Sequence, residues 1–263
     1  MKAIVYSLFG FNKERQTNCF DFNTYLRGLM ICLRFNRLLY PDWQNILETD
    51  KATYGGFETF FKMMEDKNIL FIEKNADNIP LCEAMLWRLK PVFWEHKINH
   101  TWQFSHVLCR DLDSPATYRE AQAVQYWIGK DKALHAITDS ISHDVPLLGG
   151  MIGVRPDYFS GRLVVNTWED MMKIASIDYN NKGSDQIFLN NNIYPHFAEK
   201  GKDSITQHYF NGFGQTFLSD WHTCDCAPTS GHKAGCLNDI PLGVSEELKE
   251  TNIICGHIGA SGF

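Results

Sequence analysis

A chain of 263 residues, 44% hydrophobic and 21% charged, has the makeup of a globular protein that can bury one large core. Its formal net charge of −6 argues against a nucleic-acid-binding surface, so an anionic ligand needs local help from a metal or from a few placed Arg and Lys. No run of about 18 uninterrupted apolar residues and no basic-then-apolar leader is present, which leads to the expectation of a cytoplasmic protein without a membrane span, its eight cysteines mostly thiols.

Lys2 to Phe9 is apolar enough to predict a buried first strand, and a polar loop follows from Asn12 to Asn23. In an open α/β sheet such a loop is a normal place for a nucleotide. From Thr24 to Leu39 apolar residues recur at three and four, which predicts an amphipathic helix stopped by Pro41. Trp43 to Thr49 predicts a second strand ending at Asp50, Phe57 to Met64 a helix, and Ile69 to Glu73 a third strand. Leu81 to Val92 predicts a helix ending near Pro91. Within it Arg88 stands among aromatic and aliphatic residues, either a surface residue whose stem packs on its neighbours or a site residue.

The stretch that organises the rest is His106-Val-Leu-Cys-Arg-Asp-Leu-Asp-Ser114, a short apolar strand that ends in two carboxylates one residue apart. If the segment stays extended, Asp111 and Asp113 share one face and converge on one divalent cation, with Arg110 beside them. Ala116 to Trp127 predicts a further helix. Three glycines, Gly149, Gly150 and Gly153, then lie in an otherwise apolar strand, where they mark either a bulge or a close approach of backbone to a ligand. Ser184 or Asp185 begins a helical pattern and serves either as its cap or as a functional group. His208 stands before a Gly-rich aromatic loop; a lone histidine is either packed or a ligand.

Read in order, Arg-Asp-Leu-Asp-Ser at 110–114, Leu-Gly-Gly-Met-Ile-Gly-Val-Arg at 148–155, Asp-Gln-Ile-Phe-Leu at 185–189 and the histidine before a Gly loop resemble the GT-A-fold, metal-dependent nucleotide-sugar glycosyltransferases, glycogenin-like enzymes and their bacterial and viral relatives among them. The resemblance spans about residues 1 to 215. It implies a GT-A-like α/β fold with a central mixed, mostly parallel sheet flanked by helices. It also implies Mn²⁺ or Mg²⁺ held by Asp111, Asp113 and His208, and a nucleoside-diphosphate sugar, a UDP-sugar in the first place, bound with Arg88, Arg110 and Asp111. Trp87-Arg88-Leu89 is similar to a segment that precedes the acidic pair in those enzymes. Gly149 and Gly150 would lie beside the donor sugar with Asp139 and His143 nearby, and Asp185 and Gln186 would match the Asp-Gln pair near the transferred sugar. A glycan, lipid-linked or protein hydroxyl would be the acceptor.

Residues 1–221 are expected to form that domain and residues 222–263 a loop-rich extension packed on it. Cys224, Cys226, Cys236 and Cys255 in the extension make a structural Zn²⁺ conceivable, although Cys-x-Cys with wide gaps is not a standard ligand spacing. Two other readings stay open: a metal-dependent phosphohydrolase or nucleotidyltransferase, which also uses nearby aspartates, and a zinc-stabilised binding module without catalysis.

Overall fold

The computed structural model describes residues 1–10, 19–96, 101–112, 114–116, 118–138, 145–163, 165–198 and 204–209. The predicted extension, Asp113, Asp139, His143 and the four clustered cysteines lie outside these residues.

Nine strands are found among the described residues: β1 (Lys2–Leu8), β2 (Trp43–Asp50), β3 (Phe71–Asn75), β4 (Glu95–His96), β5 (Thr101–Trp102), β6 (His106–Arg110), β7 (Leu134–Thr138), β8 (Met151–Val154) and β9 (Ile205–Tyr209). Seven form one sheet in the order β3-β2-β1-β6-β8-β7-β9, while β4 and β5 make a separate antiparallel pair. β8 alone runs against its neighbours β6 and β7, and the remaining contacts of the sheet are parallel. The expected mixed, mostly parallel sheet is therefore present.

The helices are α1 (Cys19–Leu39), α2 (Lys51–Gly56), α3 (Glu58–Asp66), α4 (Leu81–Leu86), α5 (Tyr118–Lys130), α6 (Pro156–Leu163), α7 (Trp168–Met172), α8 (Ser184–Phe188) and α9 (Tyr194–Ala198), with a 3-10 helix (Trp87–Phe93) continuing α4. They cover both faces, because the strands are apolar on both. Ala3 and Val5 of β1 pack with Leu86, Leu89, Val92, Phe188 and Phe197 on one side. Ile4, Tyr6 and Leu8 pack with Leu29, Phe61, Val124 and Trp127 on the other. Each such large side chain, fully buried, contributes roughly 1.5–3 kcal/mol, which is why a sheet of near-continuous apolar strands needs two helical layers.

Several boundaries differ from the sequence reading, for local reasons. β3 starts at Phe71 rather than Ile69, since the N–H groups of Ile69 and Leu70 still bond to the Met64 carbonyl and Asn68 takes a positive φ of 52° to end α3. α1 begins at Cys19, inside the expected loop. The helix that was to end near Pro91 tightens to 3-10 geometry at Trp87 and runs through Pro91 to Phe93. Gly149 and Gly150 precede β8 rather than lying in it. Only Gly153 is in the strand, where a Cβ would stand 2.7 Å from the Trp127 ring, so this glycine makes room for a core tryptophan. The sequence pattern before the Gly-rich loop does not predict β9.

Candidate active site

β1, β2 and β3 proceed to one side of the sheet and β6 lies on the other side of β1, so the chain reverses its direction of travel between β1 and β6. Loops leaving the carboxyl ends of two such strands part and open a crevice, the usual ligand site of open α/β sheets. Asp111 is the first residue beyond β6 and stands at this crevice. The rim on the other side is shaped by Asp50, whose carboxylate accepts from Gly10 N–H beyond β1 and from Thr53 N–H in α2, both at 2.6 Å.

Four separate segments meet around Asp111. The 3-10 helix brings Arg88, whose Nη1 pairs with Asp111 Oδ1 and whose Nε donates to the Met85 carbonyl at 2.8 Å. Cys109, on the same face of β6, donates its thiol to the Arg88 carbonyl at 3.4 Å and so fixes the helix backbone over the strand. Burial alone would lower the Arg88 pKa, but the Asp111 carboxylate, with a further contribution from Asp185, raises it overall. This guanidinium is a permanent buried charge.

The glycine turn supplies the floor. A Cβ on Gly150 would lie 1.8 Å from Asp111 Oδ2, so the carboxylate rests against backbone that only glycine leaves open. A Cβ on Gly149 would meet the Gln186 amide at 3.2 Å and Arg88 Nη2 at 3.3 Å. α8 brings Asp185, which is 2% exposed, and Gln186. With its amide nitrogen toward Leu147, Gln186 donates to the Leu147 carbonyl at 2.9 Å and accepts from Gly149 N–H at 3.1 Å. Neither Ser184 nor Asp185 caps α8: Gly183, at φ 84°, is the N-cap, and the Ser184 hydroxyl donates to the carbonyls of Asp178 and Asn181. Asp185 is thereby left to the charge of Arg88.

Sequence reasoning missed Asn190. In the π-helical turn Leu189–Ile193 that follows α8, its amide accepts from Leu147 N–H at 2.8 Å and donates to the carbonyls of Leu147 and Gln186, both at 2.9 Å. Asn190 and Gln186 together pin the segment leading into Gly149. The run Asn190-Asn-Asn192 carries no spacing that singles out its first residue. A π turn, frequent at functional sites, is the structural signal.

Two expected site residues lie elsewhere. Arg110 is one residue from Asp111, and the pleat sends it to the opposite face. There it pairs with Glu120 of α5 and donates to the Ser114 carbonyl at 2.8 Å, so it does not reach a donor in the crevice. His208 is 4% exposed on β9, facing the Tyr126 ring of α5 and the His135 ring of β7. β9 is three strands from β6, about 14 Å at ~4.8 Å per step, so His208 and Asp111 do not meet at one ion.

The fit of a divalent cation follows from these placements. The Asp111 side chain is 38% exposed while paired to Arg88, so it offers oxygen to a ligand in the crevice. Among the described residues, no group of three or more His, Cys, Asp or Glu is placed to hold a metal ion. A cation here would rest on Asp111, with Asp113 outside the described residues, and on oxygens of its own ligand. The chain also ceases to be extended where the sequence reading supposed it straight: Ser114 N–H bonds back to the Asp111 carbonyl at 3.3 Å.

The sequence matches no protein-family model and no curated protein. Among solved structures the chain is similar to the 4-diphosphocytidyl-2C-methyl-D-erythritol synthase of Anaerococcus prevotii, with 9% identity, 83% of this chain and 93% of that one covered, and a TM-score of 0.44. It is also similar to a cytidylyltransferase from Leptospira borgpetersenii, with 11% identity, 78% and 74% covered, and a TM-score of 0.42. A third is apo mouse xyloside xylosyltransferase 1, with 8% identity, 79% and 85% covered, and a TM-score of 0.41.

Proposed function

We propose that this chain transfers a sugar from a nucleoside-diphosphate donor to a hydroxyl acceptor, with Asp111 holding the divalent cation that serves the donor diphosphate. The observation that carries the reading is the convergence of Arg88, Asp111, Gly150 and Asp185, from four separate segments, at the switch-point crevice. Two carboxylates against one guanidinium leave the crevice short of positive charge for a diphosphate, which a divalent cation would supply. When bound, a divalent cation supplies charge neutralisation to the departing diphosphate.

The chain's own groups account for the rest. In the reaction the bond from the anomeric carbon to the β-phosphate oxygen breaks, the acceptor oxygen bonds to that carbon, and the hydroxyl proton leaves. Arg88 keeps a second positive charge at the crevice throughout, because its pKa is raised. Gly149 and Gly150 let the Arg88, Asp111 and Gln186 side chains close on the backbone, since a Cβ at either position would meet them. Asp185 is the carboxylate available to take the acceptor proton or to stabilise positive charge on the sugar. Gln186 acts on the protein rather than on the sugar, because its amide is occupied by the glycine segment.

The test is a screen of UDP- and GDP-sugars with Mn²⁺ that identifies the phosphate product. Nucleoside diphosphate released with acceptor present supports the reading. Pyrophosphate from a nucleoside triphosphate would instead make the chain a nucleotidyltransferase, and inorganic phosphate alone a hydrolase. Asp111→Asn is expected to lower turnover at least about 10²-fold, the scale of losing one main electrostatic contact to the transition state, with the circular-dichroism spectrum unchanged.

A further inference from the structure

A second polar network lies beneath the 3-10 helix, on the same face of the sheet as Asp111 and outside the site described above. Glu48 of β2 is 1% exposed. Its Oε2 accepts from the Asn75 amide at 2.8 Å, and its Oε1 is buried without a hydrogen-bond partner. The other end of the same amide, Asn75 Oδ1, accepts from Lys90 Nζ. One amide therefore joins a carboxyl group to an ammonium group, nitrogen toward the acid and oxygen toward the base. Lys90 belongs to the 3-10 helix, two residues beyond Arg88.

We propose that Glu48 is a positioning residue: its charge state, passed through Asn75 to Lys90, sets how firmly the 3-10 helix presents Arg88 to Asp111. As a statement about turnover this rests on the glycosyl-transfer reading; as a statement about Arg88 it does not. The physical basis is that a hydrogen bond to an ionised group is about twice as strong as a neutral one, and that linked bonds polarise each other. With Glu48 ionised, the amide and ammonium groups are both held by charge. With Glu48 protonated, the Asn75 bond falls to the neutral class and Lys90 loses one of its nearby anions, with Glu73 and Glu83 remaining.

The surroundings place that change in an accessible pH range. Burial raises the Glu48 pKa to about 7, against the lowering effects of Asn75 and Lys90, and Glu73 raises it further. The groups that face Glu48 from its neighbours are Glu73 and Asn75 on β3, Lys90 on the 3-10 helix, and the neutral Ser7, its register partner on β1. Ser7 Oγ, like Glu48 Oε1, is a buried atom without a hydrogen-bond partner, so no neighbour on β1 compensates the carboxylate. Lys90 also faces Glu83 of α4, whose pKa burial raises against the lowering effect of the ammonium group.

The experiment is a nuclear magnetic resonance titration of the donor-free full chain from about pH 5.5 to about pH 8.5, following the Glu48 carboxyl carbon and Arg88 Nε together. The expected result is one shared midpoint in the wild type and a flat Arg88 signal in both Glu48→Gln and Lys90→Met. The idea is overturned if Glu48 titrates while Arg88 stays flat, if Glu48 does not titrate in this range, or if the Arg88 shift persists in folded Glu48→Gln. The wild-type titration decides even if a variant fails to fold. In turnover, kcat/KM should rise about fivefold through neutrality, the scale of exchanging a neutral for a charged hydrogen bond, and this step should vanish in Glu48→Gln. A shared NMR midpoint in a chain that transfers no sugar sustains the positioning role and overturns the glycosyl-transfer reading alone.

Discussion

Arg110 and Asp111 are neighbours in the chain, yet they end in two ion pairs on opposite faces of the sheet. Arg110 and Glu120 are 6% and 3% exposed in their side chains, whereas Arg88 and Asp111 are 5% and 38% exposed. The first pair is sealed among Tyr6, Tyr40 and Cys32; burial would lower the Arg110 pKa, but the Glu120 carboxylate beside it helps to raise it overall. It has no access to a ligand. The second keeps one member open to a crevice. A pleated strand thus sorts adjacent charges into a structural pair and a chemical one, and exposure of the carboxylate is the property that distinguishes them.

The largest expected effect sets the two pairs against each other. Arg110→Ala strands the Glu120 carboxylate in the core and is expected to destabilise the fold by roughly 3–5 kcal/mol, while replacing both partners by well-packed apolar residues recovers most of that. Arg88→Ala should be milder, since water can reach the Asp111 carboxylate it abandons. Urea unfolding of the two single variants checks this ordering, and equal losses would erase the distinction.

Next in size is a difference in pH response between the faces. On the crevice face Glu48 has its folded pKa raised from 4.5 to about 7. The folded state therefore binds the proton more tightly, and stability present below about pH 4.5 is lost as pH rises through 7, on the order of 3 kcal/mol in all. On the α5 face, His106 packs edge-on against Trp127, and burial lowers its pKa from 6.5 to about 4. Its contribution has the opposite sense: stability present above pH 6.5 is lost as pH falls through 4, by less than for Glu48 because solvent screens the partly buried ring. Glu48→Gln should flatten the alkaline limb of a stability-versus-pH curve and leave the acid limb in place. Loss of both limbs together would mean that the faces are not independent.

The smallest expected effect is the most local. Gly150→Ala puts a Cβ where the Asp111 carboxylate rests, so the carboxylate must turn away. About 1–3 kcal/mol of stability is expected to go, with turnover falling more than donor affinity. Comparable losses in kcat and in donor binding would show that Gly150 acts only through packing.

Much of the crevice was legible in the sequence because its residue types are hard to explain otherwise. Asp111 closes an apolar strand, Gly149 and Gly150 interrupt an apolar run, and Asp185-Gln186 opens a helical pattern after a glycine. The structure brings these residues together with Arg88. His208 and Arg110 have the same chemistry in the sequence and lie elsewhere, because a polar residue type does not state which face of a strand it occupies. Asn190 was invisible for the converse reason: its role depends on a π turn that no spacing announces. Glu48 sits in a strand pattern as one carboxylate among many, and only burial under the 3-10 helix makes it unusual.

The mostly parallel α/β sheet is what the motif resemblance implies, whereas local pattern by itself marked the first strands, the longer helices and the places where charge or glycine interrupts the apolar runs. Those features follow from side-chain periodicity and backbone freedom, which are properties of neighbours along the chain. The order of the strands, the face on which each charge lands and the partner that neutralises it were decided only by tertiary structure. They depend on which distant segments share a face, and Coulomb and desolvation energies are set by those distances through space rather than by separation in sequence.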